Sequence, residues 1–251
     1  IGAGKIPRAV ERRGMATLDD AVPGCVDQSG PRARLSSPQQ EDGRLGCRRD
    51  RRDRLVGEAR PSVAQVRPGL SYTLDDYFRK NFDPGIIPLF KDELGFTDEE
   101  LEGEYQFWQN WVATRVPEAY PGMREILERY KARGGKIAVV SHSVSDVIRR
   151  DYRENGLPEP DLIFGWELPP ERRKPYVWPL EQIMAEFQLA PDQLLMLDDL
   201  KPGYDMCRAA GVPFAAAGWA NDIPEIEGYM RRNCDYYFKT VDAFGAFLAE
   251  Q

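Results

Sequence analysis

The sequence predicts an α/β fold: a parallel sheet with helices on both faces, preceded by a small helical module. Three observations predict it. From Lys136 onward, short apolar runs alternate with segments of helical period, the pattern of repeated strand–helix–strand units. One of these runs, Leu194-Leu195-Met196-Leu197, ends in the adjacent carboxylates Asp198-Asp199 and is followed by a Lys201-Pro202-Gly203 helix start. All 27 aromatic residues lie at or beyond Tyr72, so a change of composition separates residues 1–70 from the rest.

Taken in order, Thr73 caps a first helix and Pro84 to Leu94 forms a second. Asp98 to Val116 is a third, because Leu101, Tyr105, Trp108 and Val112 recur on one face, widened by Phe107 and Trp111. An aromatic stripe at this spacing reads as core. Pro121 opens the next helix at its first turn, with Met123, Ile126, Leu127 and Tyr130 inward, and Gly134-Gly135 ends it. Then come strand Lys136–Val140, helix Val144–Glu154, strand Leu162–Gly165 and helix Pro175–Phe187. Strand Leu194–Leu197, helix Pro202–Ala210 and strand Pro213–Ala217 follow. Helix Ile223–Arg232, strand Tyr236–Phe238 and helix Val241–Ala249 close the chain. The domains expected are a segment 1–70, a helical cap module 71–118 and an α/β core 119–251.

Composition narrows the function. A formal net charge of −7 argues against nucleic acid as the main partner. No apolar run approaches the roughly 18 residues of a membrane span, and the N-terminus shows no signal-peptide core, so a cytoplasmic protein is expected. Cys25, Cys47, Cys207 and Cys234 have no metal-ligand spacing. With His142 as the single histidine, a multi-histidine metal site is excluded and a Ser-His-Asp hydrolase is disfavoured.

The residues suited to chemistry cluster at strand ends. Asp198 and Asp199, at the carboxyl end of an apolar strand, suit a divalent cation such as Mg²⁺, although one of them could instead cap the next helix. Ser141 directly follows the strand Ile137–Val140, where its hydroxyl beside free N–H groups can hold a phosphate oxygen or cap a helix. Lys174, before Pro175, can neutralise a phosphoryl group as a point charge.

The order strand-Ser141, Lys174-Pro175, strand-Asp198-Asp199-x-x-x-Gly203 resembles the later motif series of the haloacid dehalogenase (HAD) superfamily. Over residues 72–251 it is similar to the phosphoglycolate phosphatase and β-phosphoglucomutase-like branch, including Arg208-Ala209-Ala210-Gly211 and the closing Cys234–Phe238 and Val241–Phe244 segments. Response regulators share the residue types but not their order. The resemblance implies a Rossmannoid parallel sheet with a helical cap. It also implies a Mg²⁺-dependent phosphatase acting on a small phosphorylated metabolite through an aspartyl-phosphate. Asp198 and Asp199 then hold the metal, and Ser141, His142 and Lys174 the substrate phosphate, with Ser141 and Lys174 also catalytic. The alternative is a catalytically degenerate phosphate- or metal-binding or interaction protein on the same scaffold. Oligomeric state is not legible.

The family's first motif, an apolar strand followed by Asp-x-Asp-x-Thr, supplies the nucleophile and the central strand. Residues 1–70 do not contain it, so no nucleophile is identified. Asp27-Gln28-Ser29-Gly30 keeps only one aspartate, and Asp19-Asp20 follows a short, polar Ala16-Thr17-Leu18. The best substitute strand is Ser62–Val66, and it is poor. This segment carries 13 Arg and 1 Lys against 9 Asp and Glu, a net of +5, while the remainder is at −12. It is expected to be irregular or disordered. It reads as a basic tail, as a targeting peptide (against which its nine acidic residues argue), or as translation in a wrong frame.

Overall fold

The computed structural model describes residues 15–18 and 73–250. They fall into two compact units, one joining residues 15–18 with residues 119–250, the other holding residues 73–118.

The described part of the second unit is helical. Helix α1 (Leu74–Phe82) starts at a capping box in which Thr73 and Asp76 satisfy each other's backbone N–H groups, and α2 (Asp98–Ala113) repeats the device with Thr97 and Glu100. Between them the expected helix from Pro84 is shorter and looser. It is a turn at Ile86–Pro88 running into a π-helical turn at Leu89–Glu93. Leu89, Phe90, Leu94 and Phe96 form the buried cluster there, with Ile86 and Leu101 packed against it. On α2 the expected face supplies the buried Trp111 and Val112 and the half-buried Leu101, Tyr105, Phe107 and Trp108, and Glu104 is buried as well.

The first unit is built on a sheet. Its strands are β1 (Met15–Leu18), β2 (Lys136–Val140), β3 (Leu162–Phe164), β4 (Leu194–Asp198), β5 (Phe214–Ala217) and β6 (Tyr236–Phe238). Their order is β3-β2-β1-β4-β5-β6, and every pair is parallel. Covered on both faces, such strands read as unbroken apolar runs. Ile137–Val140 and Phe214–Ala217 are buried along their whole length.

The central place belongs to Met15–Leu18, which corrects the expectation that residues 1–70 offer no strand for it. Four residues suffice because both neighbours supply parallel partners. Met15 to Thr17 pair with Lys136 to Ala138, and Met15 to Leu18 pair with Leu194 to Leu197. A strand paired on both edges needs less intrinsic propensity than an isolated one. Ser62–Val66 and Asp27–Gly30 lie outside the described residues.

The connecting helices are α3 (Met123–Ala132), α4 (Ser145–Glu154), α5 (Trp178–Phe187), α6 (Lys201–Ala210), α7 (Pro224–Asn233) and α8 (Val241–Ala249). Helix α3 packs with α8, and α5 with α6. Two starts differ from expectation. Gly122, at φ 85°, breaks the backbone between Pro121 and the helix, so α3 begins at Met123. The turn after Lys174 keeps Pro175 outside α5, which begins at Trp178 with Pro179 in its first turn. Among the described residues no helix is long and apolar enough to cross a membrane.

The outer strand pairs are each fastened by an aspartate at the amino end. Asp161, just before β3, donates its N–H to the Ile137 carbonyl and accepts from the Ile137 N–H at 2.9 Å. Asp235, just before β6, does the same with Phe214, at 3.2 Å and 2.9 Å. A cation holds each carboxylate: Lys131 of α3 for Asp161, at 2.8 Å, and Arg208 of α6 for Asp235. Lys136 joins at Asp161. Partial burial pushes the Asp161 carboxyl up, but the Ile137 N–H and the two lysines outweigh it and hold the group below its ordinary value.

A carboxyl depressed on folding contributes stability above its unfolded pKa, and that contribution is lost as pH falls through the folded value. Asp161→Asn is therefore expected to lower stability by about 1 kcal/mol at neutral pH, the scale of one partly screened charge-assisted hydrogen bond. Urea unfolding of both proteins across pH should show the difference constant at pH 6–8 and vanishing once acid protonates Asp161.

Candidate active site at the carboxyl edge of the sheet

Strands β2 and β4 end on the same edge of the sheet with β1 between them, so their ends stand about 10 Å apart at two strand spacings. Thr17 is level with Ala138 on one side and Met196 on the other. Two residues further on, the neighbours reach Val140 and Asp198, and the chain of β1 reads Asp19. Asp19 and Asp20 themselves lie outside the described residues.

Asp198 is fully buried at the last position of β4. Its Oδ1 accepts from the backbone N–H of Asp199 at 2.7 Å and of Leu200 at 3.1 Å. Its Oδ2 accepts from Lys174 Nζ at 3.1 Å, and both side chains of this pair are essentially inaccessible to solvent. The ammonium arrives from the turn after Pro170–Arg172, 24 residues upstream. Two charges taken out of water repay their desolvation only when the geometry and the further hydrogen bonds are good, which the two N–H donors help provide. Gly203, in the first turn of α6, makes the arrangement possible. A Cβ there would stand 1.9 Å from Asp198 Oδ2. Asp199 is half-buried beside it and borders a small pocket with Gly218, Asn221, Glu227 and Tyr237.

Ser141 is buried one residue past β2. Its N–H donates to the Phe164 carbonyl at 2.9 Å, and its Oγ accepts from the Ser143 N–H at 3.0 Å. His142 follows. Burial pushes its imidazole below the ordinary value, aided by Arg173 and opposed by the charge of Asp198 and by its hydrogen bond with the Lys174 backbone. The ring is therefore neutral at pH 7.

Ser141, His142, Lys174, Asp198 and Asp199 thus belong to one edge, in the loops after β2 and β4 and in the turn before α5. Ligands of open parallel sheets bind outside that edge. The sequence reading missed Trp166, Glu167 and Arg173, which pack around the Ser141 loop. Their one legible signal is that Gly165-Trp166 sits just past the end of a short strand.

A family model of haloacid dehalogenase-like hydrolases matches residues 65–217, more than half of the chain. The chain belongs to this family. Solved structures share its fold at low identity. A haloacid dehalogenase-like family hydrolase from Streptococcus pneumoniae is 15% identical, with TM-score 0.60, over 76% of this chain and 90% of that one. A protein assigned as a phosphoglycolate phosphatase from Lactobacillus delbrueckii subsp. bulgaricus is 15% identical, with TM-score 0.61, over 77% and 90%. CbbY from Rhodobacter sphaeroides, in complex with xylulose-(1,5)bisphosphate, is 14% identical, with TM-score 0.53, over 74% and 88%. No curated protein matches the sequence.

Gly203→Ala is expected to destabilise the protein by about 1–3 kcal/mol, the cost of overpacking a filled site, despite the better helix propensity of alanine. Urea denaturation measures it. An unchanged midpoint would mean that Asp198 has room to retreat. Lys174→Met should cost more, about 3–5 kcal/mol, because it strands a buried carboxylate.

Proposed function

We propose that this HAD-like hydrolase is a Mg²⁺-dependent phosphatase of a small phosphate monoester, with Asp19 as the nucleophile. The observation that carries the proposal is the central strand Met15–Leu18, flanked by the strand that leads into Ser141 and the one that ends at Asp198. The next residue in the sequence is Asp19, and in the family the attacking aspartate likewise follows the first strand in sequence.

The donor set fits a hard cation. A carboxylate offers about four lone-pair positions, and Asp198 uses three, for Asp199 N–H, Leu200 N–H and Lys174. Among the described residues one is left over, and the Asp199 carboxylate is adjacent. Among the described residues no group of three or more His, Cys, Asp or Glu forms a cage. Mg²⁺ asks for less, since it keeps several waters and is commonly held by one or two carboxylates plus substrate phosphate. Asp198 and Asp199 would hold it, and when bound it neutralises charge on the phosphoryl oxygens.

The chain's own residues do the rest. Ser141 and Lys174 bind and orient the phosphoryl group, and His142 lies beside them, held by its hydrogen bond with the Lys174 backbone. The Asp19 carboxylate attacks phosphorus, the ester oxygen departs with its electron pair, and water then cleaves the acyl-phosphate to regenerate the carboxylate. Phosphoryl transfer asks mainly for positioning and charge neutralisation.

One feature favours a weaker or degenerate activity as a second reading. Two residues past Asp19, where the family places its general acid and base, this chain has Ala21.

The test is hydrolysis of p-nitrophenyl phosphate with Mg²⁺. Turnover should disappear with EDTA and fall on the order of a hundredfold or more in Asp19→Asn and in Asp199→Ala. Acid-quenched enzyme should carry one phosphoryl group on Asp19, because Ala21 cannot activate water for its removal. Mg²⁺-dependent binding of inorganic phosphate without turnover or trapped phosphoenzyme would select the degenerate reading.

A further inference from the structure

The turn Gly165–Leu168, between β3 and the Lys174 turn, touches both loops of the site. Three contacts converge on Trp166. Its backbone N–H donates to the Ser143 carbonyl at 2.8 Å. The His142 ring meets its indole edge to face, with centroids 5.5 Å apart and planes at 81°. The Arg173 guanidinium lies over its indole ring, 4.1 Å from the centroid. Arg173 also donates through Nε to the Leu168 carbonyl, which closes the turn on itself.

The neighbours of Trp166 reinforce this geometry. The N-cap of α4, Val144, offers no side-chain cap. The Glu167 carboxylate substitutes, accepting from the Ser145 N–H at 3.1 Å and from the Ser145 hydroxyl. Gly165 leaves room for this, since a Cβ there would stand 2.5 Å from Glu167 Oε2 and 2.7 Å from the Ser145 nitrogen. The Ser141 loop is thus held from the side by residues 165–168.

We propose that Trp166 is a positioning residue that fixes the Ser141-His142 loop and the Lys174 turn relative to each other by holding His142 on one contact and Arg173 on another. Ser141 and Lys174 come from different connections, and Lys174 is anchored to Asp198 at its far end. A phosphoryl group bound by both needs their separation fixed to a fraction of an ångström. An arginine stacked on an indole and an imidazole set edge to face against it are each weak contacts. Such contacts are enough to bias a loop and too weak to hold the whole fold.

The proposal rests on the phosphatase reading for its catalytic consequence but not for its structural one, so two measurements separate them. Hydrogen exchange of the full-length wild type, Trp166→Leu and Trp166→Phe is the first. In Trp166→Leu, amides of residues 141–145 and 172–176 should exchange faster together, while those of β5 and α8 stay as in the wild type. Trp166→Phe, which keeps an aromatic face and edge, should restore most of the protection.

The second is steady-state turnover of p-nitrophenyl phosphate. Trp166→Leu should lower kcat about tenfold to a hundredfold with KM changed less than about threefold, the pattern of misplaced groups rather than lost binding. Faster exchange confined to residues 165–168, or spread over β5 and α8, would overturn the proposal, as would a rise in KM alone. Failure of all variants and of the wild type to turn over would remove the phosphatase reading and leave the exchange result to decide the role of Trp166.

Discussion

Backbone pairing at the middle of the sheet is the constraint on which the remainder depends. Strands β2 and β4 each present an inner row of N–H and C=O groups, and buried groups of that kind must be paired. One short strand satisfies both rows at once. It also sets the separation of the two strand ends and thereby the distance between Ser141 and Asp198. The parallel register of Thr17 with Ala138 and Met196 puts the carboxyl end of β1 at the same edge as the acidic pair. Architecture and candidate chemistry have a common origin in four residues.

Much of this was legible. Ile137–Val140 and Leu194–Leu197 are unbroken apolar runs, and a run bounded by a Gly-Gly or an acidic pair leaves little choice of structure. Ser141, Lys174 and Asp198-Asp199 stood out through their order along the chain, since each alone reads equally well as a helix cap or a surface residue. Met15–Leu18 did not stand out, because Thr17 interrupts it and Arg12-Arg13-Gly14 precedes it, and its pairing partners are over a hundred residues away. The start of α5 was misplaced because Pro175 is an acceptable first-turn residue. Only the burial of Lys174 against Asp198 shows why the chain turns there before the helix begins. Trp166 was invisible for a different reason: an aromatic residue in a loop has no period, and its meaning lies in the rings and charges it meets.

The Lys174–Asp198 pair gives the site an electrostatic character that the two motifs would not reveal separately. A lysine and a carboxylate facing open water would each be a mobile surface charge. Buried together, with two backbone N–H groups on the same carboxylate, they form a fixed dipole. Groups oriented before substrate arrives need not reorganise when charge develops, and such preorganisation is the usual source of electrostatic catalysis.

The aspartates at the opposite edge have a further meaning. Strands β3 and β6 are three residues each, too short for side-chain alternation to fix their register. Asp161 and Asp235 fix it instead, each from outside the strand and each on the side away from the site. Alignment and recognition are thereby assigned to different ends of the same strands. Loops at the recognition end can lengthen, shorten or change composition over evolutionary time without sliding the strands that carry them. A scaffold wired this way can acquire new substrates by altering one end, its frame indexed from the other.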